Sequence, residues 1–122
     1  MIDELEEKNI LNEILEIDLE EPELDMDKLI VAGHSFGGAT AIKTGWEDKR
    51  VKCVLTMDPW LLPIKKTIED KSYKGFNKDL KLQIINSEGF IAADYDKNLA
   101  GLQTLAKGVV DHESISILHS GH

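Results

Sequence analysis

Apolar and polar positions divide this chain into short apolar runs that are separated by longer polar segments. Four of the runs have the length and composition of strands: residues 28–32, 51–57, 80–86 and 114–118. The segments between them are long enough to hold helices and to connect parallel strands. The pattern therefore predicts an α/β fold with about four parallel strands and flanking helices.

A serine between two glycines follows the first predicted strand. The motif is Gly33-x-Ser35-x-Gly37, and the four residues before it, 29–32, are all apolar, as expected for a buried parallel strand. A strand, this turn and a following helix together make the nucleophile elbow of α/β-hydrolases. In an elbow the serine hydroxyl projects from the carboxyl end of the sheet, and the backbone N–H of the next residue, Phe36, faces an oxyanion.

The length of the chain limits this interpretation. A complete sheet of that fold has about eight strands, and at roughly 30 residues per strand–helix–strand unit it needs on the order of 200 residues. This chain has 122 residues. If Ser35 follows the fifth strand, we expect strands five to eight over residues 28–122, so that the chain is the C-terminal portion of a hydrolase domain.

Acidic residues are concentrated at the start of the chain. Residues 1–27 contain twelve Asp or Glu and one lysine, and Leu11, Ile14 and Leu15 follow a helical spacing. We expect an acidic amphipathic helix over residues 1–20 that packs one face on a sheet, with an acidic interaction tail as the alternative. Basic stripes are absent, which argues against a nucleic-acid partner, and no apolar run reaches the roughly 18 residues of a membrane span.

One cysteine is present, and it rules out an internal disulfide. Cys53 lies within the apolar run 51–57, so we expect a small buried hydrophobic side chain rather than a nucleophile.

A serine nucleophile needs a histidine to accept its proton and a carboxylate to orient that histidine, in the chain order Ser, acid, His. Four histidines compete for this role. His34 adjoins the nucleophile, where a structural role is expected, and His112 precedes the last strand, at the opposite end of the sheet. His119 and His122 both follow that strand on the catalytic side, and the loop position favours His122.

The carboxylate is less well determined by the residues alone. Asp58 directly follows the second strand, at the same edge of the sheet as Ser35. Glu88 and Asp94 follow the next strand, where many hydrolases place their acid. The pattern favours Asp58 and leaves the other two open.

Several of these segments together resemble a known family, the platelet-activating factor acetylhydrolases, which are Ca²⁺-independent phospholipases A2 of the plasma and intracellular type II kind. The resemblance covers nearly the whole chain from Leu24 onward and is carried by residues 33–40, 48–53, 57–63 and 85–88. Its most specific part is Asp58-x-Trp60, 23 positions after the serine, with Pro63 three residues further on. The terminal segment 118–122 is similar to the loop that carries the family's histidine.

The resemblance implies a triad of Ser35, Asp58 and His122 on an α/β-hydrolase fold, with no metal or cofactor. The implied reaction is hydrolysis of the sn-2 acetyl, or another short or oxidised acyl group, of a glycerophospholipid. A phospholipid or other ester would be the substrate partner, met at a lipid surface. Trp60 would line the acyl pocket, with Phe36 beside it, whereas ordinary core or loop packing is the alternative for Trp60.

Two departures from the family pattern leave other functional interpretations open. The family continues beyond the position of His122 into a further helix, and the strands that carry its second oxyanion N–H are absent. We therefore expect the N-terminal half of the domain to be required for activity. An inactive remnant or pseudoenzyme, and a general carboxylesterase or lipase of the same fold, remain alternatives.

Overall fold

A computed structural model describes residues 23–73 and 75–122. The predicted acidic helix over residues 1–20 lies outside these residues. The described chain alternates strands with helices, as the pattern predicted. The elements are β1 (Leu29–His34), α1 (Phe36–Glu47), β2 (Val51–Met57), a 3-10 turn (Leu62–Ile64), α2 (Lys65–Glu69), β3 (Lys81–Ser87), α3 (Glu88–Ala93), a second 3-10 turn (Tyr95–Lys97), α4 (Asn98–Lys107) and β4 (Asp111–Ile117).

The four strands form one sheet in the order β1-β2-β3-β4, and every neighbouring pair is parallel. This confirms the predicted partial α/β architecture. Because the order follows the chain and all strands run the same way, their carboxyl ends lie along one edge. Ser35, Asp58 and Glu88 each directly follow a strand at this edge.

The last strand begins three residues earlier than the apolar pattern predicted. Asp111 pairs with Lys81 of β3, and their side chains form an ion pair of 3.7 Å. Main-chain pairing to β3 extends the strand through polar residues that burial alone would not select. His112 consequently lies within β4 rather than before it, although it is at the amino end, away from Ser35, as expected.

Helices cover one face of the sheet. α1 packs against β1 and β2 through residues such as Ile42 and Trp46, which are 0% and 3% exposed. Val54 of β2 and Leu82 of β3 point into the same core. Burial of these apolar side chains is the main favourable contribution to the stability of the described sheet and helices.

The other side of the sheet is more open within the described part of the chain. Ile30 is 69% exposed and Ile117 is 51% exposed, and every residue of β4 is exposed. The expectation that residues 29–32 form a wholly buried strand is therefore wrong, since β1 alternates between half-buried and exposed positions. Cys53 is half-buried, so the expected burial of its thiol is only partial. The described helices are all too short or too polar to span a bilayer.

Candidate active site

Ser35 occupies a sharp turn between β1 and α1. Its backbone has φ 53° and ψ −117°, which is an unfavourable conformation for a residue with a side chain. The turn is held by main-chain hydrogen bonds: the Ser35 N–H donates to Met57 O at 2.9 Å, and its carbonyl accepts from Trp60 N–H at 3.0 Å. A Cβ on Gly38 would lie 2.8 Å from Pro59 Cβ, so glycine lets α1 approach this segment closely. The local sequence thus allows the turn, and the neighbouring strand holds it.

Asp58 follows β2 and, like Ser35, has a positive φ, here 43°. Its N–H donates to Ile85 O of β3 at 2.9 Å, and the residue is only 4% exposed. Ser87 satisfies both carboxylate oxygens: its N–H donates to Oδ1 at 2.6 Å and its hydroxyl donates to Oδ2 at 2.7 Å. A buried carboxylate needs such partners, because its desolvation would otherwise be costly.

His122 connects these two residues. Its Nε2 lies 2.9 Å from Ser35 Oγ and its Nδ1 lies 3.1 Å from Asp58 Oδ2. The imidazole stacks on Phe90 with ring centroids 5.0 Å apart. The centroid of the His34 ring lies 4.7 Å from that of the His122 ring. The three side chains favoured from the sequence are therefore brought into one continuous line of hydrogen bonds.

The loop before His122 is held by the segment that follows β3. Glu88 accepts the His119 N–H at 2.6 Å, and Ser120 O accepts the Gly89 N–H at 3.0 Å. The rival acid Glu88 thus contacts the backbone of the histidine loop, and its hydrogen bond is not to His122. The side chain of His119 itself is 94% exposed.

The other rivals lie further from this line. Asp94 accepts the Leu99 N–H at 2.9 Å, close to the start of α4. His112 Nδ1 lies 2.8 Å from Val109 O, at the amino end of β4.

A cleft of about 240 Å³ opens beside the nucleophile. Its lining comprises Ser35, Trp60, Phe90, Tyr95, Asp96 and His122. The Phe36 side chain is 59% exposed and does not line this cleft, so the structure does not place it beside Trp60 there. As the first residue of α1, Phe36 nevertheless has a backbone N–H that the helix leaves unused. A larger cavity of about 380 Å³ lies between α2 and α4 and is lined by none of Ser35, Asp58 or His122.

One group of side chains in the described residues has the composition of a metal site. His34, Asp58 and His122 offer ligand atoms that all lie within 4.8 Å of one another. Asp58 and His122 already use their polar atoms in the hydrogen bonds to Ser87 and Ser35. A metal ion here would therefore compete with those contacts.

Four residues of this site were missed in the sequence: Ser87, Phe90, Tyr95 and Asp96. Ser87 had a detectable signal, since it precedes a short helix and its hydroxyl caps it by accepting the Phe90 N–H at 3.2 Å. Its second role, toward Asp58, depends on the neighbouring strand and has no local signature. Phe90, Tyr95 and Asp96 reach the cleft through tertiary packing, which also has no local signature.

A parallel sheet with a Gly-x-Ser-x-Gly turn at the carboxyl end of one strand is the arrangement of α/β-hydrolase-like proteins. The family model described as "Platelet-activating factor acetylhydrolase, isoform II" matches residues 2–114. This chain belongs to that family. The match ends before His119 and His122. The position of His122 in the site therefore rests on the distances given above and not on the family model.

Curated relatives agree with this assignment. A platelet-activating factor acetylhydrolase of Canis lupus familiaris is 34% identical over 117 residues, which are 94% of this chain and 24% of the relative. The proteins of that name from Cavia porcellus and Bos taurus are 38% and 34% identical over 92 and 116 residues, or 75% and 93% of this chain. The matched parts make up 20% and 24% of those two relatives, so the chain spans between a fifth and a quarter of their length.

Proposed function

We propose that this chain carries the reactive site of a serine hydrolase of the platelet-activating factor acetylhydrolase type. The substrate would be a glycerophospholipid with an acetyl, or another short or oxidised acyl group, at sn-2. The observation that carries the proposal is the line from Ser35 Oγ to His122 Nε2 at 2.9 Å and from His122 Nδ1 to Asp58 Oδ2 at 3.1 Å. These distances suit proton transfer from the serine and orientation of the histidine.

In the proposed mechanism, Ser35 Oγ attacks the ester carbonyl while His122 Nε2 accepts its proton. Asp58 accepts a hydrogen bond from His122 Nδ1–H, which selects the tautomer with a free Nε2 and stabilises the imidazolium that forms. The Phe36 N–H donates to the developing oxyanion. His122 then protonates the departing lysophospholipid oxygen, and a water activated by the same nitrogen hydrolyses the acyl-serine.

The lining of the cleft supports a short acyl group. The cleft holds about 240 Å³, and the half-buried Trp60 lines it beside Ser35. Because the Trp60 indole and Ser35 line the same cleft, the ring gives an apolar contact for a small acyl chain beside the nucleophile. A general carboxylesterase is the alternative, and it would show no preference for a phospholipid.

A second proposal concerns the catalytic activity of these 122 residues by themselves. We assign one main-chain oxyanion donor, the N–H of Phe36, to the described residues, and one such donor is typically worth about 2.7–4 kcal/mol in the transition state. The chain also spans only 20–25% of the relatives it matches. We therefore propose that the 122 residues alone turn over substrate poorly, and that residues of the kind found elsewhere in the relatives complete the site.

The experiment combines a fluorophosphonate probe with an sn-2 acetyl phospholipid and its long-acyl counterpart. In a protein that also contains the remaining strands of the domain, we expect labelling at Ser35 and a preference for the acetyl substrate. There Ser35→Ala should lose up to about 10⁶-fold in turnover, as removal of a triad serine does elsewhere. Undiminished hydrolysis by Ser35→Ala would refute the nucleophile. Equal rates on phospholipids and simple esters would favour the carboxylesterase, and efficient turnover by the chain alone would refute the second proposal.

A further inference from the structure

Asn98, the first residue of α4, makes two hydrogen bonds that none of the proposed chemistry uses. Its Oδ1 accepts the Leu61 N–H at 2.7 Å, and its Nδ2 donates to Pro59 O at 2.8 Å. Asn98 is 4% exposed, and both partners are main-chain groups of buried residues. Losing either contact would leave a buried polar group without a partner, which is costly.

These two contacts lie on either side of Trp60. The Trp60 N–H donates to Ser35 O at 3.0 Å, and its indole Nε1–H donates to Asp96 Oδ2 at 3.1 Å. Asp96 is exposed, so its contact with the indole is weakened by competition with water. Asn98 is buried, and it holds the backbone both before and after Trp60.

We propose that Asn98 is a positioning residue that fixes Trp60 in the cleft beside Ser35 and thereby sets the acyl length that the site accepts. This deepens the proposed function and rests on it. Asparagine suits the task because one side chain supplies both an acceptor for Leu61 N–H and a donor for Pro59 O. Aspartate of the same shape keeps the acceptor but places a second oxygen against the Pro59 carbonyl, and leucine supplies neither.

The placement of Trp60 can be measured without any activity. In a Trp46→Phe background Trp60 is the one remaining tryptophan, and Asn98→Asp and Asn98→Leu should each lower its fluorescence anisotropy and raise its acrylamide quenching constant. Asp94→Gly is the matched control. It removes a side-chain hydrogen bond to Leu99 N–H close to the start of the same helix, at a position whose φ of 39° glycine adopts freely.

Unchanged anisotropy and quenching in folded Asn98→Asp, or the same change in Asp94→Gly, would overturn the placement. If Asn98→Leu fails to fold, Asn98→Asp decides the matter, because its side chain has the same shape as that of asparagine.

Selectivity is measured in a protein that also contains the remaining strands of the domain, as the ratio of kcat/KM for p-nitrophenyl acetate to that for p-nitrophenyl octanoate. Because the fraction of folded protein cancels in this ratio, a substitution that only destabilises the fold leaves the ratio unchanged. We expect Asn98→Asp to lower the ratio about tenfold, since small displacements of a positioning group cost rates of that order or more. Asp94→Gly should keep the parent ratio.

The two measurements separate the failure of each proposal. If Asn98→Asp keeps the parent's ratio of kcat/KM values while the anisotropy of Trp60 changes, the role of Asn98 in selectivity is overturned. Absence of Ser35-dependent hydrolysis of either ester by a protein that also contains the remaining strands of the domain would overturn the proposed function. The fluorescence comparison on the 122-residue chain would still decide whether Asn98 fixes Trp60.

Discussion

The nucleophile and acid of the candidate site are held differently from its histidine. Ser35 and Asp58 each follow a strand directly, each has a positive φ, and each donates its N–H to a carbonyl of the adjacent strand. His122 instead follows β4, whose residues are all exposed, and its loop is held by contacts to Glu88 and Gly89. The sheet therefore positions two members of the site, whereas a few polar loop contacts position the third.

This difference has a physical consequence. Moving Ser35 or Asp58 requires breaking main-chain pairing within the sheet, which is part of the cooperative fold. Moving His122 requires the loss of a small number of loop hydrogen bonds, each worth only about 0.5–1.5 kcal/mol net. We expect the histidine to be the member whose position responds most to local substitutions.

Apart from removal of the nucleophile itself, the largest effect should come from substitution of the buried acid. Asp58→Asn keeps the shape of the side chain but removes the charge and favours the wrong tautomer of His122, so we expect turnover to fall by about 10⁴-fold. The rate of fluorophosphonate labelling at Ser35 measures this without requiring full turnover. A rate close to that of the parent would show that another carboxylate orients the histidine.

The free energy of unfolding should fall more for a substitution in the covered part of the sheet than for one in the exposed strand β4. Leu82→Ala removes a core side chain that is 2% exposed and should cost about 2–5 kcal/mol. Ile117→Ala, at 51% exposure in β4, should cost less than about 1 kcal/mol. Urea unfolding of both variants gives the comparison, and equal losses would mean that β4 is covered in solution.

Glu88 should hold the histidine loop through its oxygen acceptor and not through its negative charge. Glu88→Ala removes the acceptor for the His119 N–H, and the loosened loop should lower the labelling rate of Ser35 about tenfold. Glu88→Gln retains an oxygen in that position and should keep most of the rate. A severe loss in Glu88→Gln would instead assign an essential charge to Glu88.

The smallest effect is expected at the opposite end of the sheet. His112→Gln alters an exposed residue whose ring contacts only Val109 O among the hydrogen bonds described for it, so stability should change by no more than about 0.5 kcal/mol. Labelling of Ser35 should be unchanged within error. A clear loss of labelling would show that the amino end of β4 influences the histidine loop.

Local pattern was sufficient for most of the fold. The apolar runs predicted all four strands that the described residues form, because strands of a parallel sheet are typically apolar runs separated by helices. It was least accurate where the chain does not follow that rule. The early start of β4 at Asp111 depends on main-chain pairing, and the exposure of Ile30 depends on what covers the sheet, and neither is encoded by nearby residues.

The sequence by itself determined the turn at Ser35, since glycines and the strand–helix pattern act within a few residues, and its motifs determined the family. From the residues alone it left Asp58, Glu88 and Asp94 open as the acid. Only the tertiary structure decided that Asp58 lies 3.1 Å from His122, that Ser87 satisfies its carboxylate, and that Glu88 contacts the loop instead. The physical reason is that side chains 64 positions apart meet through strand order and loop packing, which no local pattern specifies.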